Sequence, residues 1–282
     1  MQCRYINLDH AVERRAAIEA SFKKAIRPGW NLARFAAIDT GFVDRHAIAG
    51  DRSAAEKACY LSHKTVIETH AASAGHLLVL EDDVEFGVAS CEIVDGFLQH
   101  NPEAEWDLLF LDVCVQNIGD MATVYFHRER LMKERKVIPL DLAKIPFFGT
   151  NAYIVNAGSL EKVLACVEAG LPVDVEYDIY LADQVRQGRL KAAVLFPFVT
   201  TLSDHATRSQ IQPTSSDKIN QARNLFRNLV WLESAPNQVA AGMAECEAAL
   251  AGTTHQAFFT LLTALIANFY DVASQVAPAD AR

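Results

Sequence analysis

The run Leu77-Leu78-Val79-Leu80 passes without interruption into Glu81-Asp82-Asp83, and this junction constrains the fold more than any other stretch of the chain. Unbroken apolar character over His76 to Leu80 predicts a strand buried on both faces, the kind found in sheets covered by helices on two sides. The ends where such strands finish are where open α/β sheets hold ligands. Three adjacent carboxylates repel one another unless positive charge compensates them. A solvated acidic turn after a core strand is the plainer alternative, and the cluster by itself does not separate the two.

The flanking segments repeat one pattern. Tyr5 to Leu8 reads as a strand and Ala11 to Lys24 as a helix, with Asp9 placed to cap it and Pro28-Gly29 to stop it. Leu32 to Ile38 predicts a second strand and Ala54 to Ala72 a second helix. Beyond the carboxylates come a helix near Val88 to Gln99, a strand at Asp107 to Leu111 and a strand-like Thr123 to Phe126. Gly149 to Val155 predicts another strand, followed by helices at Ser159 to Glu168 and Val175 to Gln187 and a strand at Ala192 to Phe196. Such alternation predicts an α/β fold with a mostly parallel sheet flanked by helices. The segment Arg128 to Lys136 carries five Lys or Arg residues, fitting a solvated helix face, a mobile surface loop or a phosphate-binding loop. After Pro213 no strand pattern remains, and helices are expected at Asp217 to Glu233, Pro236 to Ala251 and Thr254 to Val276. The expected organisation is a main domain over 1–212 and a helical extension over 213–282.

Composition narrows the function classes. With 282 residues, 51% hydrophobic and 22% charged, the chain is long and apolar enough for a sizeable core. A net charge of −9 argues against nucleic acid as a partner, because phosphate backbones are gripped by clustered Lys and Arg. The six cysteines stand at least 23 positions apart, so they read as free thiols and not as a zinc or redox pair. The first residues lack the apolar stretch of a signal peptide, which predicts a cytoplasmic protein. Ala257 to Tyr270, the most apolar late stretch, is interrupted by Thr260, Thr263 and Asn268 and is too short for a membrane span.

Several polar residues converge in this scheme. Hard divalent cations such as Mg²⁺ or Mn²⁺ prefer carboxylate oxygens and bridge readily to a diphosphate, which suits Glu81, Asp82 and Asp83. The first strand also ends in polar groups, Asn7 and Asp9, with Arg14 and Arg15 one turn into the next helix. Either arginine has the reach for a pyrophosphate, or faces solvent. His63, within a helix, is either a packed residue or part of the site, and His205 is either a loop histidine or a late contact.

The order of these segments resembles glycosyltransferase family 25, the lipopolysaccharide-type glycosyltransferases that also include collagen galactosyltransferases. The matching residues are Tyr5-Ile6-Asn7-Leu8-Asp9 with Arg14-Arg15, Ala58-Cys59-Tyr60-Leu61-Ser62-His63, Val79 to Val84, Trp106 to Leu111 and Gly149 to Ile154. The resemblance implies a GT-A-like, Rossmann-like fold, a UDP-sugar donor with galactose favoured, a saccharide or glycoconjugate acceptor, and transfer with inversion. It further implies Asp83 as metal ligand, Asp82 as a contact to ribose or diphosphate, and His205 as a late metal ligand or diphosphate contact. An inverting transfer needs a general base. Pro172-Val173-Asp174-Val175-Glu176-Tyr177-Asp178 is similar to the family's acceptor-side segment, which leaves Asp174 and Asp178 as candidates, and acids that simply open a helix as the alternative.

Two features depart from the family pattern. Ala55-Glu56-Lys57-Ala58 stands where the family usually has Gly-Glu-x-Gly, and the extension after Pro213 has no counterpart there. Its apolar final helix has three readings: packing on the core, a homodimer interface, or contact with the inner face of a membrane. A nucleotidyltransferase would need a Gly-rich loop where this chain has Asn7-Leu8-Asp9-His10. A non-catalytic sugar-nucleotide-binding or scaffolding protein of the same fold remains the competing class.

Overall fold

The computed structural model describes residues 1–207 apart from 73 and 103–104, residues 217–252 apart from 235, and positions 256, 257, 260, 261, 263 and 264. The strands are β1 (Gln2–Asn7), β2 (Asn31–Ala36), β3 (Leu77–Glu81), β4 (Val84–Phe86), β5 (Leu108–Phe110), β6 (Cys114–Val115), β7 (Ile138–Asp141), β8 (Phe147–Phe148), β9 (Ala152–Val155), β10 (Ala192–Phe196) and β11 (Thr200–Leu202). The helices are α1 (Val12–Ala25), α2 (Thr40–Arg45), α3 (Ala54–Glu68), α4 (Ser90–His100), α5 (Ile118–Glu134), α6 (Leu160–Glu168), α7 (Tyr177–Arg186), α8 (Asp217–Leu229) and α9 (Pro236–Leu250).

A seven-stranded sheet in the order β2-β1-β3-β9-β5-β10-β7 forms the centre. Five strands point the same way, while β9, wedged between β3 and β5, and β7 at one edge run opposite. The sheet is thus mixed but mostly parallel and flanked by helices, with the parallel majority that the alternation predicts and the Rossmann-like form that the family resemblance implies. Two-stranded pairs β4–β11 and β6–β8 sit beside it.

Side-chain alternation along the buried strands divides the core into two layers. Leu77, Val79, Leu108, Phe110, Tyr153 and Val155 face the layer covered by α3, α6 and α7. Leu78, Leu80, Leu109, Ala152 and Ile154 face the layer holding Ile18 and Phe22 of α1 and Cys91 and Val94 of α4. Ala222, Phe226 and Leu229 of α8 and Val239, Met243 and Cys246 of α9 belong to the first layer, so both helices share the main core. The third expected helix, 254–276, lies outside the described residues except at six positions. Among the described residues no helix is long and apolar enough to cross a membrane.

Three local expectations change. Thr123 to Phe126, which reads as a strand from Thr123 and Val124, lies within α5. There the buried set Met121, Val124, Tyr125, Arg128 and Leu131 follows a helical period, and the Asn117 side chain caps the first turn by accepting from the Asp120 N–H at 2.9 Å. In the basic run at its end, Arg130 and Lys133 lie on an exposed helix face and Arg135 and Lys136 on the exposed turn that follows it. Arg128 turns inward and donates to the Trp231 carbonyl at 3.3 Å and Ser234 Oγ at 2.9 Å.

Asp9 does not cap α1, whose N-cap is Ala11 with no side-chain bond. Its carboxylate pairs with Arg34 instead, at 2.5 Å. The departure at Ala55 to Ala58 falls in the first turns of α3, where Ser53 and Glu56 form a reciprocal capping box. No special backbone conformation is needed there.

What fixes α8 to the sheet is a charge pair. Asp112 is 0% exposed and Arg227 is 3% exposed, and Asp112 accepts hydrogen bonds from Arg227 and from Thr200 Oγ1. Breaking a buried pair leaves its partner's charge uncompensated, which costs about 3–5 kcal/mol. Asp112→Ala is therefore expected to lower the unfolding free energy by about that much, measured by urea denaturation. A loss well under about 1 kcal/mol, the range of exposed pairs, would show that the pair does not anchor the helix.

Candidate active site

A cavity of about 900 Å³ opens at the C-terminal ends of β1 and β3. Its floor is the acidic turn after β3, one wall is α3, and α7 and α8 close the other sides. Glu81, Asp82 and Asp83 all line it.

The repulsion among these acids is met from α1. Arg14 Nε donates to Asp82 Oδ1 at 2.6 Å, and Arg14 Nη2 donates to Asp83 Oδ2 at 2.9 Å. Its remaining terminal nitrogen, Nη1, donates to the His205 carbonyl at 3.3 Å. Despite burial, the charges of Asp83 and Asp82 hold the guanidinium above its ordinary pKa. Asn7 Nδ2 donates to Asp82 Oδ2 at 2.7 Å, and Asn151 Nδ2 donates to Asp83 Oδ1 at 3.1 Å. Every oxygen of the two aspartates thus holds one protein donor.

Compensation is incomplete, however. Burial and the neighbouring Glu81 charge raise the Asp83 carboxyl to about 6, against the lowering effect of Arg14. Glu81 itself moves the other way: burial opposes its ionisation, but His63, Thr150 and Arg14 hold it below the ordinary value. Thr150 Oγ1 donates to Glu81 Oε1 at 3.3 Å. His63 Nε2 lies 3.6 Å from that oxygen, an ion-pair distance and longer than a hydrogen bond. The ring is 1% exposed, stacks on Tyr177 at 4.4 Å and meets the Tyr153 hydroxyl through Nδ1 at 3.0 Å.

Facing these groups is Asp178, in the first turn of α7. Its Oδ2 accepts from the Gly149 N–H at 3.1 Å and its Oδ1 from the Ile179 N–H at 2.9 Å. Gly149 has φ +83, a left-handed backbone that favours glycine. Burial raises the Asp178 carboxyl, with the two N–H groups opposing. Asp174 is not part of the cavity lining; it accepts from the Asp51 N–H at 2.9 Å and ties that loop to the segment leading into α7.

The other sequence candidates take supporting positions. Asn7 is buried behind Asp82, oriented by Arg15 Nε at 3.1 Å and Arg34 Nε at 3.0 Å on its Oδ1. Asp9 is engaged with Arg34 and Arg15 sits on Asn7, so neither lines the cavity. His205, in the short 3-10 turn Asp204–Thr207, offers its carbonyl to Arg14 while its ring is not among the lining groups.

The donor set can be tested against a divalent cation. Among the described residues no three His, Cys, Asp or Glu side chains are placed to cage a metal. Mg²⁺-type ions that travel with a diphosphate take only one or two carboxylates and draw their other ligands from phosphate and water. Each Asp83 oxygen carries one hydrogen bond and has room for a second ligand, and the raised pKa reflects burial first and the neighbouring Glu81 charge second. Asp83 fits that open mode of binding; the His205 ring does not share it.

The sequence reading passed over Asn151, Thr150, Arg34 and the α8 residues Asn220, Arg223, Asn224 and Arg227, the last four all lining the cavity. A signal for the α8 set is present in the sequence: positions 220, 223, 224 and 227 follow the i, i+3, i+4, i+7 spacing of a single helix face.

Comparison with known proteins adds one match. A model of glycosyltransferase family 25, described as lipopolysaccharide biosynthesis proteins, matches residues 1–177 of the 282. Comparison with curated proteins gives no match.

The Arg14 contacts make the stability of the acidic turn a coupled quantity. In a double-mutant cycle of Arg14→Leu and Asp83→Asn, read by urea unfolding, an interaction energy of about 0.5–3 kcal/mol is expected, with Asp83→Asn partly rescuing Arg14→Leu. Strictly additive losses would mean that Arg14 does not neutralise the turn.

Proposed function

The chain belongs to glycosyltransferase family 25, and we propose that it transfers a hexose, galactose favoured, from a UDP-sugar to a saccharide or glycoconjugate acceptor with inversion at the anomeric carbon. The observation that carries this reading is the opposition, across one cavity, of the Glu81-Asp82-Asp83 turn and the half-buried carboxylate of Asp178.

In the proposed reaction an acceptor hydroxyl attacks the anomeric carbon, a new C–O bond forms, the bond from that carbon to the diphosphate oxygen breaks, and UDP departs. The hydroxyl proton passes to Asp178. Burial makes this carboxylate a stronger base than an exposed one, and its contacts with two backbone N–H groups fix its direction. Asp83 is the residue proposed to hold Mn²⁺ or Mg²⁺, and neutralisation of the charge gathering on the leaving diphosphate is the chemistry that such an ion supplies. Asp82 is held too tightly by Asn7 and Arg14 to move freely, which suits a fixed acceptor for a ribose hydroxyl.

The test is transfer from UDP-galactose and UDP-glucose with Mn²⁺ across a panel of saccharide acceptors, with NMR assignment of the product anomer. Asp178→Asn is expected to lower kcat by about 10²- to 10⁴-fold while leaving UDP affinity within about twofold, since the base contributes to the chemical step and not to holding the nucleotide. The sign of the pH effect follows from the raised pKa. Asp178 is protonated and inactive as a base below it, so activity falls as pH drops through a value above the ordinary aspartate range of about 3.9. UDP binding without transfer in the native chain would favour the non-catalytic reading, and an unchanged kcat in Asp178→Asn would remove Asp178 as the base.

A further inference from the structure

The cavity wall supplied by α8 lies beyond the region that matches the family, and its chemistry differs from that of the floor. The apolar face of this helix, Ala222, Phe226 and Leu229, is buried in the core, which turns Asn220, Arg223, Asn224 and Arg227 toward the cavity. Arg227 is committed to Asp112 and to Asn151 Oδ1, the latter at 2.9 Å. Arg223 is different. Among the described residues its guanidinium takes part in no hydrogen bond or ion pair, and its Nε, like that of Arg227, is buried without a hydrogen-bond partner. A cationic fork held at the cavity with a buried donor unused is an anion contact waiting for its ligand.

The charge pattern narrows the ligand. Arg14 is already balanced by Asp82 and Asp83, and Glu81 and Asp178 add two further carboxylates to the same cavity lining. Until a cation occupies the Asp83 side, a nucleoside diphosphate entering the cavity is repelled by these carboxylates and attracted by the α8 wall. Resting on the sugar-nucleotide reading, we infer that Arg223 on α8 binds the diphosphate of the donor, with the adjacent carboxamide of Asn224 on the same face. The extension after residue 213 is on this account a part of the donor site, supplying the positive side chain that the family-matched region lacks at that wall. Guanidinium suits this task because its planar fork meets two phosphate oxygens at once.

The experiment is titration of native chain, Arg223→Gln and Arg223→Lys with UDP, uridine and inorganic pyrophosphate by calorimetry, in the presence of Mn²⁺ at low ionic strength. Arg223→Gln is expected to weaken UDP and pyrophosphate by about 10- to 100-fold, the loss of a charge-assisted contact, while uridine stays within about twofold. Arg223→Lys recovers part of the loss. Because Arg223 makes no ion pair among the described residues, both variants are expected to melt close to the native chain, and their melting curves are recorded to show this. Native UDP affinity retained in Arg223→Gln, or an equal loss for uridine, overturns the inference and leaves the proposed function standing. A native chain that binds neither UDP nor pyrophosphate removes the sugar-nucleotide reading and this inference with it.

Discussion

The guanidinium of Arg14, set between Asp82 and Asp83, is the interaction on which the arrangement of the site depends. A buried strand that ends in three acids is electrostatically unfavourable by itself, and the positive charge must come from an element near that end. The parallel pairing of β1 with β3 provides one. The chain leaving β1 turns directly into α1, so a residue one turn into that helix arrives beside the acids of β3. Asn7, the last residue of β1, then takes the remaining oxygen of Asp82, and Arg15 and Arg34 fix Asn7 from behind.

From Asp83 the network continues toward the C-terminal helices. Asn151 donates through Nδ2 to Asp83 and accepts through Oδ1 from Arg227, and Arg227 is anchored by Asp112. Amide orientation follows from chemistry: the carbonyl faces the cation and the amine faces the carboxylate. Two hydrogen bonds therefore separate α8 from the acidic turn. Helices α8 and α9, which the sequence presents as an appendage, both contribute core side chains, and α8 also turns site side chains toward the cavity from its other face.

Much of this was legible in the sequence because apolar patterning and strand order are strong signals. The unbroken run before Glu81 identified a doubly covered strand, and the placing of the acids at its C-terminal end followed from parallel-sheet geometry. Asp178, although one of two candidates, could not be separated from Asp174. A spacing of four residues says that two acids share a helix face only if both are helical, and α7 begins at Tyr177, after Asp174. The antiparallel insertion of β9 was likewise hidden, since strand direction leaves no mark on a short apolar run. Thr123 to Phe126 misled because two β-branched residues outweighed a helical period visible only over a longer window. The role of Asn151 depends on long-range partners, Asp83 and Arg227, that no local pattern brings together.

Glu81 explains why these partners matter to chemistry as well as to folding. Burial is the main cause that raises Asp83 and Asp178, and the Glu81 charge adds to it at both, so ionisation of Glu81 bears on carboxylates on opposite sides of the cavity. That ionisation is maintained by His63, Thr150 and Arg14 against the effect of burial. His63 in turn is positioned by stacking on Tyr177 and by the Tyr153 hydroxyl, which also meets the Tyr177 hydroxyl at 2.9 Å. Tyr177 directly precedes Asp178, so one short segment of α7 both orients the imidazole beneath Glu81 and presents the carboxylate across from it. A change at Tyr177 or Tyr153 would therefore act on the acids at a distance, through the imidazole, without touching the cavity's charged groups themselves.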